Sequence, residues 1–139
     1  NRGTARTHAM KLIYEWEMGG EGGEDTRIDL LGVQPGEEES AFMERMFSGV
    51  VENAAEIGDY LLAELHKIGG LKEVRGRGLM IGIEIDGSGP ELRKKLLFDK
   101  HIFTGGAGAS TVRLLPALCL TKEMADRFLT AFDKVKGEK

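Results

Sequence analysis

Arg113 stands inside the apolar run Val112, Leu114, Leu115, where a guanidinium must either point away from a sheet or meet a carboxylate. Its planar fork of N–H donors matches a carboxylate bidentately, so carboxylate recognition is the chemistry this residue offers. An arginine on an edge strand needs no ligand, and periodicity alone leaves both readings open. Two glycine-rich stretches raise the question of anion binding. In Arg75-Gly76-Arg77-Gly78-Leu79-Met80-Ile81-Gly82 the glycine spacing is not that of a dinucleotide fingerprint, and a strand follows where a helix N-terminus should stand. A strand entry with a tight bend is the simpler reading, its arginines near solvent or an interface. Gly105-Gly106-Ala107-Gly108 can present backbone N–H groups to an anion, although a hairpin connection between two short strands is the plainer account.

The remaining reactive residues point away from catalysis. His8, His66 and His101 are single, with no ligand partner at metal spacing, so they read as structural or exposed and no metal site is expected. Cys119 is the one cysteine, and between Leu118 and Leu120 it reads as a small apolar core residue; it cannot form an internal disulfide, which fits a reducing cytoplasm. The sequence contains no Gly-x-Ser-x-Gly, Walker or zinc pattern. Net charge is −4 with a pI near 5.5 and scattered lysine and arginine, which argues against a nucleic-acid partner. No apolar run approaches the roughly 20 residues that span a bilayer, and no signal-peptide core opens the chain, so neither membrane nor export is expected. A start at Asn1 rather than methionine suggests a trimmed or partial chain.

The 139 residues suit one domain or one small domain with an extra segment, and 41% hydrophobic with 30% charged residues is globular. Met10, Leu12, Tyr14, Trp16 and Met18 alternate with Lys11, Glu15 and Glu17, which reads as a strand, with helix the runner-up. Gly19 to Asp25 is turn-rich and Ile28 to Val33 is a second apolar run, so a β-hairpin is the simplest local reading. Pro35 to Glu39 starts a helix whose acidic residues suit its dipole. Ile57, Tyr60, Leu61, Leu65 and Ile68 share one helical face, and Gly69-Gly70 ends it. Leu79, Ile81, Ile83 and Ile85 alternate as a strand, and Leu92 and Leu96 stripe a short helix at Glu91 to Lys100. His101 to Thr104 and Thr111 to Leu115 read as short strands. Thr121 caps a last helix carrying Met124, Phe128, Phe132 and Val135. The order helix, strand, helix, strand, strand, helix makes an α+β domain, a small antiparallel or mixed sheet with helices packed on one face, preceded by the hairpin. The one boundary expected lies near Gly49, separating an unassigned segment, 1–49, from a domain, 50–139.

Three stretches carry a family resemblance: Val51-Glu52-Asn53-Ala54-Ala55-Glu56-Ile57-Gly58, then Val74 to Glu84, then Val112-Arg113-Leu114-Leu115-Pro116-Ala117-Leu118. With His101-Ile102-Phe103-Thr104-Gly105 they resemble the class III aminotransferases, and within them the acetylornithine branch that makes an arginine precursor. The resemblance spans about Val50 to Val135 and corresponds to the small C-terminal domain, which closes over a site built by a large domain and a neighbouring subunit of a homodimer. It implies that Arg113 grips the carboxylate of an amino-acid substrate, that Gly105 to Gly108 lie by the mouth of the site, and that the Arg75 to Ile85 strand is structural. Where the family reads Pro-Pro-Leu after the arginine, this chain has Pro116-Ala117-Leu118. The family cofactor is pyridoxal phosphate, which needs a Schiff-base lysine, an aspartate for the pyridinium nitrogen and a phosphate cradle. In the family these come from the large domain, so this chain is expected to bind no cofactor, to contain no catalytic residue and to be inactive alone. A stand-alone carboxylate-binding or interaction module is the alternative.

Overall fold

Alternation of four aliphatic residues in Leu79 to Ile85 needs a sheet with one covered face, and the computed structural model supplies it. The structure describes residues 2–19 and 37–138. Helix α1 is Arg2–Glu17 and α2 is Glu37–Lys67. Strands β1 (Leu71–Arg77) and β2 (Met80–Ile85) follow, then α3 (Gly89–Lys100), β3 (Gly105–Ala107), β4 (Thr111–Leu114) and α4 (Lys122–Gly137). Contacts divide the chain into two units, Asn1–Asn53 and Ala54–Lys139.

In the first unit the expected strand at residues 9–18 is a helix. Ala5, Ala9, Leu12 and Ile13 are the buried positions, a helical stripe that begins upstream of the alternating run, while Met10, Tyr14 and Met18 are each about two-thirds exposed. The alternation was a coincidence of side chains on a segment of Ala, Met, Leu, Lys and Glu, which favour helix. The hairpin therefore loses its first strand, and its second, Ile28 to Val33, lies outside the described residues. Met43 and Phe47 are buried four residues apart on the first part of α2.

In the second unit four antiparallel strands lie in the order β1-β2-β4-β3. Ile81 faces Leu114 and Ile83 faces Val112 across the β2–β4 ladder, and all four are buried. Helix α3 packs against α4, β3 and β4. Leu79 and Ile85, Ala54, Ile57, Leu61 and Leu65 of α2, Leu92 and Leu96 of α3, and Ala125, Phe132 and Val135 of α4 are buried with them. Burying one large aliphatic or aromatic side chain contributes about 1.5–3 kcal/mol. Exposed pairs such as Lys72–Asp86 at 3.1 Å and Arg75–Glu73 at 2.7 Å contribute less than about 1 kcal/mol each, so the core decides stability.

Two strand assignments change. Leu71–Arg77 is a strand of its own, joined to β2 by the two-residue turn Gly78-Leu79, in which Gly78 has φ 55°. Its exposed, charged residues hid it: Arg75 pairs with Glu73 and reaches Glu84 at 3.5 Å on the face opposite the aliphatic core. Residues 101–104 are a connector instead of a strand, and Gly105–Ala107 is the strand that pairs with β4. His101 ends α3 in the left-handed conformation, φ 55°, its N–H bonded to Leu97 O at 3.1 Å. That reversal delays the strand by four residues.

Candidate functional site

Strand β4 alternates buried Val112 and Leu114 with exposed Arg113, so the guanidinium leaves the sheet on the face away from the aliphatic core. Opposite Arg113 in the ladder stands Gly105. A methyl group at Gly105 would come within 3.4 Å of Arg113 Nε and 3.2 Å of its carbonyl oxygen, so the glycine leaves room for the arginine stem. A methyl at Gly106 would come within 2.6 Å of Arg93 Nη1. Adjacent strand residues point to opposite faces, so the two glycines let two arginines cross β3 on its two sides. Arg93 Nε also donates to Thr104 O at 3.1 Å, tying α3 to the connector. The glycine run is thus a strand beneath two arginines, followed by a turn at Gly108, φ 72°.

Arg113 lines a groove of about 620 Å³, which lies in the roughly 300–1,000 Å³ range of small-molecule sites. Leu61, Leu114 and Phe128 give it an apolar lining, and three exposed side chains, Phe103 at 80%, Leu115 at 57% and Met124 at 53%, stand about it. Among the described residues Lys100 and Arg127 join Arg113 as its Lys and Arg lining, and no Asp or Glu lines it. Sequence reading passed over these two. Arg127 adjoins Phe128 on α4 and Lys100 ends α3, so each looks like an ordinary exposed helix cation until the fold brings it to the groove.

The neighbouring carboxylate is engaged elsewhere. Asp126 accepts a hydrogen bond from the Tyr60 hydroxyl, which pushes the Tyr60 phenol up to about 12 and keeps it neutral. Lys122 Nζ lies 4.8 Å from the centre of the Tyr60 ring. The Tyr60–Asp126 bond joins α2 to α4 beside the groove.

Residues 41–135 match the model of the family Aminotransferase class-III. This chain belongs to the class III aminotransferases. It is 35% identical over 91 residues to the acetylornithine aminotransferase of Methanocaldococcus jannaschii, covering 63% of this chain and 23% of that protein. It is 34% identical over 89 residues to the [LysW]-aminoadipate semialdehyde transaminase of Deinococcus radiodurans, covering 63% of this chain and 21% of the relative. A solved N-acetylornithine aminotransferase from Stenotrophomonas maltophilia matches the fold with a TM-score of 0.60 at 23% identity, over 70% of this chain and 29% of that one. The chain thus matches about a fifth to a quarter of these curated relatives' length.

Class III aminotransferases are transaminases that depend on pyridoxal phosphate. Among the described residues the groove is lined by one lysine, Lys100, and by no carboxylate to pair with a pyridinium nitrogen, so that lining does not fit the cofactor. Among the described residues no cluster of three or more His, Cys, Asp or Glu is arranged for a metal ion, and no helix is long and apolar enough to cross a membrane. Arg75, paired with Glu73, does not line the groove. Cys119 is exposed, not buried: it sits on the segment between β4 and α4, where the Leu120 N–H to Ala117 O turn breaks the run of apolar positions.

Proposed function

We propose that this chain is the small-domain portion of an acetylornithine aminotransferase-like transaminase, which moves an amino group between N-acetylornithine and 2-oxoglutarate in cytoplasmic arginine biosynthesis. In this reading residues 50–139 are the small domain, residues 1–49 are a segment of unassigned role, and the working enzyme is a homodimer. Arg113 binds the substrate carboxylate. The observation that carries the reading is the placement of Arg113 across Gly105 at the groove, with no ion-pair or hydrogen-bond partner among the described residues. A guanidinium so presented is ready to take a carboxylate in a bidentate pair.

The 139 residues alone do not transaminate in this proposal, because Schiff-base lysine, pyridinium partner and phosphate cradle belong to other parts of the family's chain. Residues 54–139 should be grafted in place of the matching segment of an acetylornithine aminotransferase. Arg113→Ala in that chimera is expected to lower kcat/KM roughly 10- to 100-fold, the value of a charged hydrogen bond, with the cofactor absorbance band retained. Loss of the band with activity per bound cofactor unchanged would refute the role given to Arg113. A stand-alone carboxylate-binding module is the second reading, favoured by the three cationic side chains, Lys100, Arg113 and Arg127, that line one groove. Saturable carboxylate binding by the isolated chain would support it.

A further inference from the structure

Arg93 is half-buried and is held through Nε alone, which donates to Thr104 O at 3.1 Å. Among the described residues its Nη atoms have no hydrogen-bond or ion-pair partner. The strand makes room for this guanidinium: a methyl group at Gly106 would come within 2.6 Å of Nη1, so β3 lets the side chain cross because residue 106 is glycine. A cavity of about 220 Å³ lies beside it, lined by Pro90, Arg93, Lys94, Leu97, Phe103 and Thr104. It shares Phe103 and Thr104 with the groove, but Arg93 crosses β3 on the side opposite Arg113. The cavity is smaller than the roughly 300–1,000 Å³ of sites that take a whole small molecule, so it suits a single group. In the run Arg93-Lys94-Lys95, Lys95 donates to Glu138 O at 2.9 Å, whereas Lys94 has no partner among the described residues. Thr104 adds a polar group that is otherwise unexplained. The residue is 6% exposed, and its Oγ1 is buried with no hydrogen-bond partner. A part-buried guanidinium and a buried hydroxyl both lose stability while their donors go unmet, and an oxyanion between them meets both.

We propose that Arg93, Lys94 and Thr104 form a binding site for a doubly charged tetrahedral oxyanion of the phosphate class. The Arg93 Nη groups donate to two of its oxygens, the Lys94 ammonium supplies the second positive charge, and the Thr104 hydroxyl donates to a further oxygen. A carboxylate, planar and singly charged, leaves part of this donor set unmatched. The bound anion bridges α3 to the connector at residues 101–104, adding to the single Arg93 Nε to Thr104 O bond.

The test titrates the full 139-residue chain with inorganic phosphate, with glycerol phosphate and with acetate, at a constant ionic strength of about 0.15 M. Binding is followed by the amide chemical shifts of residues 93–106. Phosphate is expected to bind at least about 10-fold more tightly than acetate, and Arg93→Ala to weaken it by about 10-fold or more. Lys94→Ala and Thr104→Val remove no hydrogen bond of the described fold, so they decide the question if Arg93→Ala unfolds. Each should weaken phosphate several-fold, and Thr104→Val should do so with the urea midpoint unchanged or raised, because it deletes a hydroxyl that has no partner. Arg113→Ala should leave phosphate binding as it was. Tighter binding of glycerol phosphate than of the free ion would uphold the site and identify its occupant as a phosphorylated molecule; the reverse order would uphold it for phosphate itself. No saturable response, equal affinity for phosphate and acetate, or affinity unchanged in both Lys94→Ala and Thr104→Val overturns the proposal. Phosphate binding lost in Arg113→Ala and kept in Lys94→Ala assigns the anion to the groove and overturns it as well.

Discussion

The β1–β2 turn and the groove differ in how completely they are closed. At the turn, α2 comes so near that a methyl group on Gly58 would lie 2.1 Å from Gly78 O, a backbone-to-backbone approach with no space for any side chain. At the groove, Phe103, Leu115 and Met124 are more than half exposed beside a cavity of about 620 Å³. Both lie in the unit of residues 54–139, so the contrast is not one of a folded region and an unfolded one. It teaches that this unit is closely packed at the turn and presents apolar surface and cations at the groove, as expected where a ligand or another surface completes the structure.

The comparison is broken most directly at the closed end. Gly58→Ala is expected to cost about 3 kcal/mol or more, because backbone on both sides must move, and urea unfolding should show a lower midpoint. A cost below about 1 kcal/mol would mean that the turn is not packed as described. A smaller effect is expected where α4 begins. Thr121 accepts the Met124 N–H at 3.3 Å, so Thr121→Ala should cost about 1 kcal/mol by the same measurement. The smallest effect sharpens the contrast at the open end. Phe103→Ser should change stability by less than about 0.5 kcal/mol, while lowering any concentration-dependent self-association in sedimentation. A loss of several kcal/mol would place Phe103 in the core and remove the distinction.

The helical face of Ile57, Leu61 and Leu65, the alternation of Leu79 to Ile85 and the Thr121 cap were legible because each pattern is carried by neighbours within a few turns or one strand. The stretch at residues 9–18 misled because five alternating apolar residues fit either period, and burial of Ala5, Ala9, Leu12 and Ile13 selected the helix. The first strand of the sheet escaped because its residues are mostly polar and its partner is supplied by β2. Cys119 looked buried from its neighbours, but a local turn exposes it.

Local pattern and the order of three motifs were enough for the sequence by itself to determine the α+β class, most helix positions, the family and Arg113 as the residue to watch. Only the tertiary structure decided that Gly105 and Gly106 form a strand beneath two arginines, and that Lys100 and Arg127 share a groove with Arg113. The physical reason is that charge in a cavity is a sum over side chains from distant parts of the chain. Lys100, Arg113 and Arg127 sit on three elements, and nothing in the residues around any one of them records the other two.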